Sequence, residues 1–552
     1  MTAGIYYVPE AYSIEGSKLM GRNAAGDSFL RGFLTHSQPS DAFWLQVERE
    51  RDARHFAERA TEFGRTEKIK AFKSISLGQA KNPGVVYHPG PGVAQHARMR
   101  TAFGHDAWSL CGITHTTSST YAMDALVNLL VEPLQPWDSL ICTSSAVKEN
   151  VENVLKAQSA YLRERLGATK FVLPQLPVIP LGIHTKDFQF TEKQRHAARI
   201  KLGAEEDSLV VLYTGRLSFH AKAHPLSMYH GLETAVKAAN KDVILVECGW
   251  FANEHIEQAF VEAAAFACPS IRVVRLDGRL AENRTMAWSS ADIFCSLSDN
   301  IQETFGIVPI EAMAAGLPVV VSDWDGYKDT VRHDIDGFRI PTIGPQPGLG
   351  GDLAHRHALG IDSYDRYCGY TSSLIGINAG KLSEAFVRLF ESAALRYSMG
   401  ESGRKRAKEI YDWSSIIKRY EELWDNLRET RKSESNASLK TNRSPAAHLD
   451  PTVSFSHYPT KLLDMNTELT LSSSTVMEAM NKLSMLRSLK MVDFAEYIIP
   501  SDAEIESIVT NAIAHGPNAR VDTLLSDIVE VRRPYALRGI TWLVKLGMFN
   551  FQ

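Results

Sequence analysis

Short, continuous runs of apolar residues alternate with longer helical stretches from about residue 80 to residue 330. Such runs are typical of strands that are buried on both faces of a parallel sheet. The alternation therefore predicts the α/β class with doubly wound parallel sheets. The runs interpreted as strands are 85–87, 140–142, 209–213, 243–246, 271–274, 293–295 and 318–321.

The pattern is interrupted twice along the chain. A turn-rich segment and a charged helical stretch precede the apolar run at 209–213, so a second sheet begins there. The segment 432–450 is polar, rich in Ser and Asn and almost free of aromatic residues, which is typical of a linker. The predicted parts are an N-terminal Rossmann-like domain 1–190, a C-terminal Rossmann-like domain 191–410, a helix 411–431, the linker 432–450 and a mostly helical accessory module 451–552.

Composition and charge limit the classes of function. The 552 residues are 44% hydrophobic and 22% charged, which is typical of a globular protein and argues against a largely disordered chain. Lys and Arg number 60 against 64 Asp and Glu, so no global positive field attracts nucleic acid. The first twenty residues lack a signal-peptide pattern, and no apolar stretch reaches the roughly 18 residues of a membrane span. We therefore expect a cytoplasmic protein without a nucleic-acid partner.

Local signals around residue 309 predict a short helix in the second sheet domain. Pro309 suits the first turn of a helix, and Gly316 with the proline two residues later marks its end. The predicted helix spans about 308–315, and the loop 302–306 leads into it. Unpaired N–H groups at a helix N-terminus attract anions.

Two carboxylates lie eight residues apart at this helix. Glu303 is in the entering loop and Glu311 is in the first turns, so both can flank one small ligand. Carboxylate oxygens suit the vicinal hydroxyls of a ribose or a hexose. Taken singly, Glu311 is equally consistent with a favourable helix-dipole charge and Glu303 with a solvated side chain.

Two cations follow the first strand of the second sheet. Arg216 and Lys222 lie just past the strand 209–213. Ligands bind at the carboxyl ends of parallel strands, so this pair is well placed for a diphosphate. Arg offers a fork to two oxygens and Lys a mobile point charge. Taken alone, the segment is simply a basic loop.

The motif E-x-F-G-x-x-x-x-E that begins at Glu303, followed by A-x-A-A-G-x-P-V-V, resembles the signature of retaining glycosyltransferases of the GT-B class, family 4 (glycosyl transferases group 1). The resemblance covers roughly residues 80–430. It implies two Rossmann-like domains with the active site between them. It also implies that a hexosyl group is transferred, without a metal, from a nucleotide-sugar donor to a hydroxyl acceptor, with retention of configuration.

The resemblance assigns roles around the donor. Glu303 would meet the sugar hydroxyls with the neighbouring backbone amides, and Glu311 would meet the ribose. Arg216 and Lys222 resemble the diphosphate clamp and would stabilise the charge of the leaving group. The residues it places at the nucleotide sugar are Arg216, Lys222, Glu303, Thr304, Phe305, Gly306, Glu311 and Gly21.

Three further segments resemble the family. His115, in the segment 112–117, would face the donor sugar across the cleft and bond a sugar hydroxyl or the acceptor. The segment 21–27 resembles a glycine-containing loop that places Gly21 at the diphosphate and acceptor, although a plain turn is the alternative. The helix 411–431 resembles the one that crosses back to the N-terminal domain.

Metal ligation is not predicted. The six cysteines are widely spaced without a CxxC pair, so we expect reduced, buried thiols rather than a zinc or redox site. Asp323 and Asp325 spell D-x-D, but they follow a strand directly and are interpreted as a turn. His220 and His224 lie four residues apart in a loop and lack a third ligand.

Alternative functions remain open at this stage. A catalytically silent nucleotide-sugar sensor that signals through its helical module would use the same cleft, and so would an epimerase or a phosphorylase. The resemblance implies a nucleotide-diphosphate sugar as co-substrate and no cofactor. It also implies a glycan, glycolipid or small-molecule acceptor and a role in polysaccharide or glycolipid assembly.

The last hundred residues lie outside the resemblance. A capping box at 501–504 begins a predicted helix, and two more are expected over 521–529 and 537–546. Basic residues cluster near the end of this module. A winged-helix or helix-turn-helix module fits this pattern, but we favour a docking or oligomerisation module. Peripheral contact with anionic lipid or an acidic glycan is a third interpretation.

Overall fold

A computed structural model describes residues 2–13, 21–436, 439 and 447–551. Contacts between residues divide the chain into two compact units, Met1–Pro445 and Ala446–Gln552. The first unit contains two parallel sheets, and the second contains a small antiparallel sheet with helices. Part of the predicted linker 432–450 lies outside the described residues, and its first residues continue a helix.

The first sheet has six parallel strands. They are β1 (Gly4–Tyr7), β2 (Ala42–Val47), β3 (Lys68–Phe72), β4 (Val85–Tyr87), β5 (Ser109–Ile113) and β6 (Ser139–Ile141). Their order is β3-β2-β1-β4-β5-β6, which is the order of a doubly wound fold. The helices of this part are α1 (Gly21–His36), α2 (Glu50–Glu62), α3 (Val93–Arg100), α4 (Thr120–Val131) and α5 (Ser145–Leu166).

The second sheet repeats this topology. Its strands are β7 (Leu209–Thr214), β8 (Val243–Gly249), β9 (Arg272–Asp277), β10 (Ile293–Ser296), β11 (Val319–Ser322) and β12 (Gly337–Ile340). All are parallel in the order β12-β11-β10-β7-β8-β9. The helices that precede or connect these strands are α6 (Glu192–Leu202), α7 (Leu226–Ala239), α8 (Glu254–Ala267), α9 (Ala281–Ser290), α10 (Ile307–Ala314) and α11 (Tyr327–Thr330). The predicted class, α/β with two Rossmann-like domains, is confirmed.

An excursion interrupts the second sheet domain after β12. Two short antiparallel strands, β13 (Thr342–Ile343) and β14 (Gly376–Ile377), bracket it. Between them lie α12 (Gly351–Ala358) and α13 (Tyr364–Ser372), and α14 (Ala379–Glu391) and α15 (Ala393–Arg406) follow. The Gly- and Pro-rich stretch 344–351 therefore opens a segment with its own helices.

The inner strands of each sheet are buried on both faces. In β7, Val211 faces one apolar cluster, whereas Val210 and Leu212 face another on the opposite side. In β4, Val85 and Val86 likewise belong to different clusters. Burial of each such side chain contributes about 1.5–3 kcal/mol. Because successive residues of a strand face opposite apolar clusters, all of them are apolar, and the strand is a continuous apolar run in the sequence.

The helix α16 (Trp413–Glu434) packs on the first sheet domain although it follows the second in sequence. The indole N–H of Trp413 donates a hydrogen bond to Ser28 Oγ at 2.8 Å. A Cβ on Gly32 would lie 2.5 Å from the indole ring, so this close contact between α1 and α16 requires glycine.

The C-terminal unit combines helices with a three-stranded antiparallel sheet. Its helices are α17 (Pro451–Ser454), α18 (Val476–Arg487), α19 (Lys490–Asp493), α20 (Asp502–His515), α21 (Val521–Leu524) and α22 (Arg533–Lys545). Its strands are β15 (Glu468–Leu471), β16 (Ala519–Arg520) and β17 (Phe549–Phe551), in the order β16-β15-β17. The helix expected over 521–529 ends at Leu524, which is a correction. Arg532, in the basic cluster, pairs with Glu504 at 2.7 Å.

All six cysteines are free and buried. Within the described ranges, every helix is too short or too polar to span a lipid bilayer.

Candidate active site

The loop between β10 and α10 carries Glu303. Helix α10 begins at Ile307 and ends at Ala314, which confirms the short helix predicted from its proline and glycine signals. Gly306 directly precedes the helix with φ = 81°, and a Cβ there would lie 2.0 Å from the ring of Tyr327. Only glycine satisfies both conditions. The glycine therefore fixes the direction in which the Glu303 loop enters α10.

Glu303 is held as a carboxylate. The ammonium group of Lys222 donates a hydrogen bond to Glu303 Oε2. The amides of Thr304 and Gly306 donate to Oε1 at 3.3 and 3.1 Å. Burial acts to raise the pKa of Glu303, but the charge of Lys222 and these hydrogen bonds outweigh it, so the pKa is lowered.

Arg216 lies in the same pair of loops. It follows Gly215, whose φ of 144° lets the chain turn away from the end of β7. Its guanidinium donates to the carbonyl of Ala221 at 2.8 Å and to Gln302 Oε1 at 3.0 Å. The loop after β7 and the loop after β10 therefore meet at Arg216 and at Lys222.

Glu311 lies in the second turn of α10. Burial raises its pKa to about 7, and the positive charges of Arg284 and Lys222 oppose this rise. Both charge states of Glu311 are therefore populated near neutral pH. The influence of Lys222 on both Glu303 and Glu311 indicates that the three side chains share one electrostatic environment.

The first sheet domain contacts this loop through Thr304. The hydroxyl of Thr304 donates to the carbonyl of His115 at 3.2 Å, and Ser144 Oγ donates to the carbonyl of Thr304 at 2.7 Å. His115 and Ser144 follow the carboxyl ends of β5 and β6. The two sheet domains therefore meet at the residue next to Glu303, and His115 is brought to the same crevice.

The side chain of Phe305 does not line this crevice, and the segment 21–27 is not a loop. The side chain of Phe305 is 1% exposed and belongs to the core cluster below α10. Gly21 is exposed and begins α1, so the predicted glycine-containing loop at 21–27 is wrong: these residues are helical. The preceding residues 14–20 lie outside the described part of the chain.

Two buried carboxyl groups beside the motif were not predicted as site residues. Burial and the charge of Glu303 raise the pKa of Asp325 well above its usual value, and its Oδ2 has no hydrogen-bond partner among the described residues. Burial raises the pKa of Asp299 to about 7. Asp325 does lie in a turn, with φ = 45°, as the sequence predicts. In the sequence, only their closeness to the motif that begins at Glu303 points to Asp299, which precedes it, and to Asp325, which follows it.

Tyr364, on α13, is a third residue that the sequence does not reveal. Its hydroxyl lies 3.0 Å from Ser118 Oγ and 3.3 Å from Thr116 Oγ1, both in the segment that follows His115. The same helix lies close to the loop after β7 that carries Arg216 and Lys222, since a Cβ on Gly369 would fall 2.9 Å from Cβ of His220 in that loop. The excursion therefore reaches both sides of the crevice.

Asp323 with Asp325 and His220 with His224 are the two pairs that have the residue types of metal ligands. In the parts of the chain that the structure describes, no cluster of three or more His, Cys, Asp and Glu side chains is arranged around a possible ion. The carbonyl of His220 accepts a hydrogen bond from Asn300 at 2.9 Å, and the ring of His224 accepts one from the amide of Leu226 at 3.4 Å.

Comparisons with known proteins identify related sequences. The model of the family described as "Glycosyl transferases group 1" matches residues 194–344. An uncharacterized glycosyltransferase of Methanocaldococcus jannaschii is 23% identical over 224 residues, which cover 40% of this chain and 52% of that protein. A D-inositol 3-phosphate glycosyltransferase of Xylanimonas cellulosilytica is 28% identical over 173 residues, covering 30% and 40%. The chain thus spans about half the length, or less, of these curated relatives.

A solved structure with a similar fold is that of the Anabaena protein HepE in complex with UDP. It is 14% identical, has a TM-score of 0.47, and the match covers 74% of this chain and 98% of that chain.

Proposed function

We propose, from the match of residues 194–344 to the model of the glycosyl transferases group 1 family, that the protein transfers a hexosyl group from a nucleotide-diphosphate sugar to a hydroxyl acceptor. One observation carries the proposal: Lys222 and Arg216 meet the Glu303 loop at the carboxyl edge of the second sheet. This edge is where doubly wound folds bind nucleotides. Anomeric retention and independence of metal are parts of the same proposal.

The diphosphate of the donor binds to Arg216 and Lys222. Their positive charges stabilise the negative charge that grows on the leaving diphosphate, and both are already fixed by neighbouring groups. A preorganised cation needs no reorganisation at the moment of reaction, which makes it effective in a site sheltered from water. In this proposal the two side chains supply the charge that a metal ion supplies in other transferases.

Glu303 orients the donor sugar. Its lowered pKa keeps it ionised, so its oxygens accept hydrogen bonds from sugar hydroxyls. Glu311, whose pKa is raised to about 7, accepts from the ribose hydroxyls in its ionised form. The Thr304 and Gly306 amides, which contact Glu303, hold the carboxylate in one orientation. The imidazole of His115 faces the sugar or the acceptor from the other domain.

The contacts across the crevice exclude water during transfer. Thr304 and Tyr364 each bridge the two sheet domains. Closure over the donor suppresses its hydrolysis and brings the acceptor hydroxyl to the anomeric carbon. We further propose a glycan or glycolipid acceptor, a role in polysaccharide or glycolipid assembly, a cytoplasmic location with peripheral membrane contact, and docking or oligomerisation through residues 451–552.

Turnover of nucleotide sugars tests the proposal. UDP-, GDP- and ADP-sugars are first screened by thermal shift, since a ligand that binds the native state raises its melting temperature. The donor that stabilises the protein is then assayed for release of the nucleoside diphosphate with and without acceptor mixtures. We expect slow hydrolysis without acceptor and faster release with one. Stabilisation without any turnover would instead favour a catalytically silent sensor.

Variants of Lys222 and Glu303 show whether these side chains act in turnover or only in folding. Lys222→Ala and Glu303→Gln should abolish most turnover and keep the fold. Lys201→Ala and Glu206→Gln change exposed residues of the same domain and serve as matched controls. Wild-type turnover in both clamp variants would contradict the proposal.

A further inference from the structure

An exposed apolar face in the C-terminal unit spans the end of α18 and the segment that leads to α20. Six large apolar side chains of residues 485–498 are between 48% and 93% exposed. They are Met485, Leu489, Met491, Phe494, Tyr497 and Ile498. We call these six residues the Phe494 face. None of them was singled out from the sequence, and none belongs to the donor site described above.

Backbone hydrogen bonds and packing fix the segment that carries this face. The amide of Val492 donates to the carbonyl of Leu489 at 2.9 Å, and the side chain of Val492 is buried. A Cβ on Gly539 of α22 would lie 2.4 Å from Cγ of Pro500, so the end of the segment packs closely on that helix. The exposed apolar side chains are therefore carried by an ordered backbone.

An open cleft of about 510 Å³ adjoins the face. Its apolar lining residues are Val492, Tyr497, Ile499, Pro500 and Tyr535. The guanidinium carbons of Arg532 and Arg538 lie 4.5 and 4.6 Å from the ring centroid of Tyr535, which fixes this wall of the cleft. Tyr497 belongs to both the cleft and the Phe494 face. Protruding apolar side chains and an apolar cleft are therefore neighbours on one surface.

Both arginines that line the cleft are already paired with carboxylates. The guanidinium of Arg487 pairs with Asp502. That of Arg532 pairs with Glu504 at 2.7 Å. A cation in a satisfied ion pair offers little attraction to a further anion. The cleft therefore suits an apolar side chain rather than a phosphate or a carboxylate.

The exposed apolar area is as large as one side of a stable protein interface. Aromatic side chains present about 150–250 Å² each and long aliphatic ones slightly less, so the six together expose on the order of 900 Å². The largest apolar patch on a typical monomer is about 300–600 Å². Each partner in a standard protein interface contributes about 800 Å². The Phe494 face therefore has the size that a protein partner covers.

The charges of the segment favour a second copy of the chain over a lipid surface. Asp493 and Glu496 are exposed among the apolar residues, and Lys490 is an exposed cation of the same segment. A bilayer with anionic lipids would repel the two carboxylates. A second copy that packs antiparallel reverses the order of these charges, so each lysine meets carboxylates of the other copy.

We propose that the Phe494 face binds the same face of a second copy of the chain, and that Phe494 of each copy fills the cleft of the other. The inference rests on the oligomerisation through residues 451–552 in the proposed function and assigns its surface. A surface with a protruding aromatic side chain beside an apolar cleft is complementary to itself under a twofold axis, as isologous dimers require. Aromatic side chains anchored in such clefts supply most of the binding energy of an interface.

Sedimentation equilibrium of the full chain measures the association. We expect a dimer at about 50 μM chain, since interfaces of this size have dissociation constants of micromolar or tighter. Phe494→Glu places like charges at the contact and should raise the dissociation constant at least about a hundredfold. Phe266→Glu, at an 81% exposed residue of α8, is the matched control and should leave the dimer intact. Circular dichroism checks that both variants are folded.

Cross-linking locates the contact independently. Tyr497→Cys adds an exposed thiol to a chain whose six native cysteines are buried. Tyr497 borders both Phe494 and the cleft, so the twofold axis should bring it close to its own counterpart. A short bismaleimide should therefore join two copies of Tyr497→Cys, and the yield should fall when Phe494→Glu is added. Tyr161→Cys, at a 52% exposed tyrosine of α5, is the control and should remain unlinked.

Three results would overturn the proposal. A wild-type chain that stays monomeric contradicts the proposed oligomerisation and the inference together. A monomer that binds vesicles of phosphatidylcholine and phosphatidylglycerol, and loses this binding in Phe494→Glu, would identify a lipid surface instead. A dimer that persists in Phe494→Glu uses another surface, so only the assignment of the Phe494 face would be wrong. None of these measurements depends on nucleotide-sugar turnover, so the proposed transfer reaction is tested separately.

Discussion

The ammonium group of Lys222 and the carboxylate of Glu303 form an ion pair between the loop after β7 and the loop after β10. The side chain of Glu303 is nearly buried in this contact, and that of Lys222 is about one-quarter exposed. The pair therefore joins the region proposed to hold the diphosphate with the region proposed to hold the sugar. The charge of Lys222 also helps to lower the pKa of Glu303.

Removal of Lys222 should change both the rate and its pH dependence. Without the ammonium group, only the amide hydrogen bonds of Thr304 and Gly306 oppose the effect of burial, so the pKa of Glu303 rises from its lowered value. The acid limb of the kcat/KM profile should therefore move to higher pH in Lys222→Met, and kcat should fall by about a hundredfold or more. Profiles of the wild type, Lys222→Met and the exposed control Lys201→Met are compared. An acid limb at the wild-type pH would show that Lys222 does not hold Glu303 ionised.

Glu311 should make the protein less stable as the pH rises. Its pKa of about 7 in the folded state lies above the unfolded value of about 4.5, so the folded state binds more protons between these values. The free energy of unfolding therefore falls as the pH rises from about 4.5 to 7, and the loss is complete above 7. Glu311→Gln removes this contribution and should gain up to about 3 kcal/mol relative to wild type at pH 8, and much less at pH 4.

Urea unfolding at several pH values measures this difference. Asp299 has a raised pKa of about 7 as well, so the wild-type slope contains both groups. The difference between wild type and Glu311→Gln isolates Glu311 because Asp299 is common to both. A difference that does not vary with pH would contradict the raised pKa of Glu311.

Local signals predicted the parts of the site that depend on nearby residues. Pro309 and the glycine at 316 mark the ends of α10 within the chain itself, and the sequence places Arg216 and Lys222 just past a strand. The strand order then brings β7 and β10 together as neighbours. For these elements, the spacing of a few residues determines the structure.

Other site residues depend on contacts between distant segments. Tyr364 reaches Ser118 from an excursion that begins more than 200 residues later, and Thr304 contacts His115 only because the two sheet domains meet. No local pattern marks these contacts. The wrong prediction of a loop at 21–27 has another cause. The glycines at 21 and 26 are typical of a loop, whereas Phe29 and Phe33, buried at helical spacing, indicate the helix α1.

Tyr364→Phe should loosen the closed crevice. The substitution keeps the ring but removes the hydroxyl that contacts Ser118 and Thr116. A typical hydrogen bond contributes about 1 kcal/mol, so closure should weaken by roughly fivefold. Hydrolysis of the donor should then increase relative to transfer, because water enters a less fully closed site. Tyr370→Phe, at a 45% exposed residue of α13, is the control. An unchanged ratio of hydrolysis to transfer would show that this contact does not govern closure.

Gly306→Ala should destabilise the protein through a steric clash as well as backbone strain. The new Cβ would lie 2.0 Å from the ring of Tyr327, which is buried and cannot move aside freely. Gly348 is the matched comparison, because its φ of 98° is also positive but a Cβ there meets nothing within 4 Å. The loss of unfolding free energy in Gly348→Ala therefore measures the backbone strain alone, about 1–3 kcal/mol.

The difference between the two alanine variants measures the clash. We expect Gly306→Ala to unfold at lower urea than Gly348→Ala and to lose donor binding, since the Glu303 loop must shift to admit the methyl group. Truncation of the ring in Gly306→Ala/Tyr327→Ala should recover part of this difference relative to Tyr327→Ala alone, as expected for residues in direct contact. Equal free energies of unfolding for the two single variants would mean that the loop shifts to admit the methyl group at no cost. The requirement for glycine at position 306 would then come from its positive φ alone.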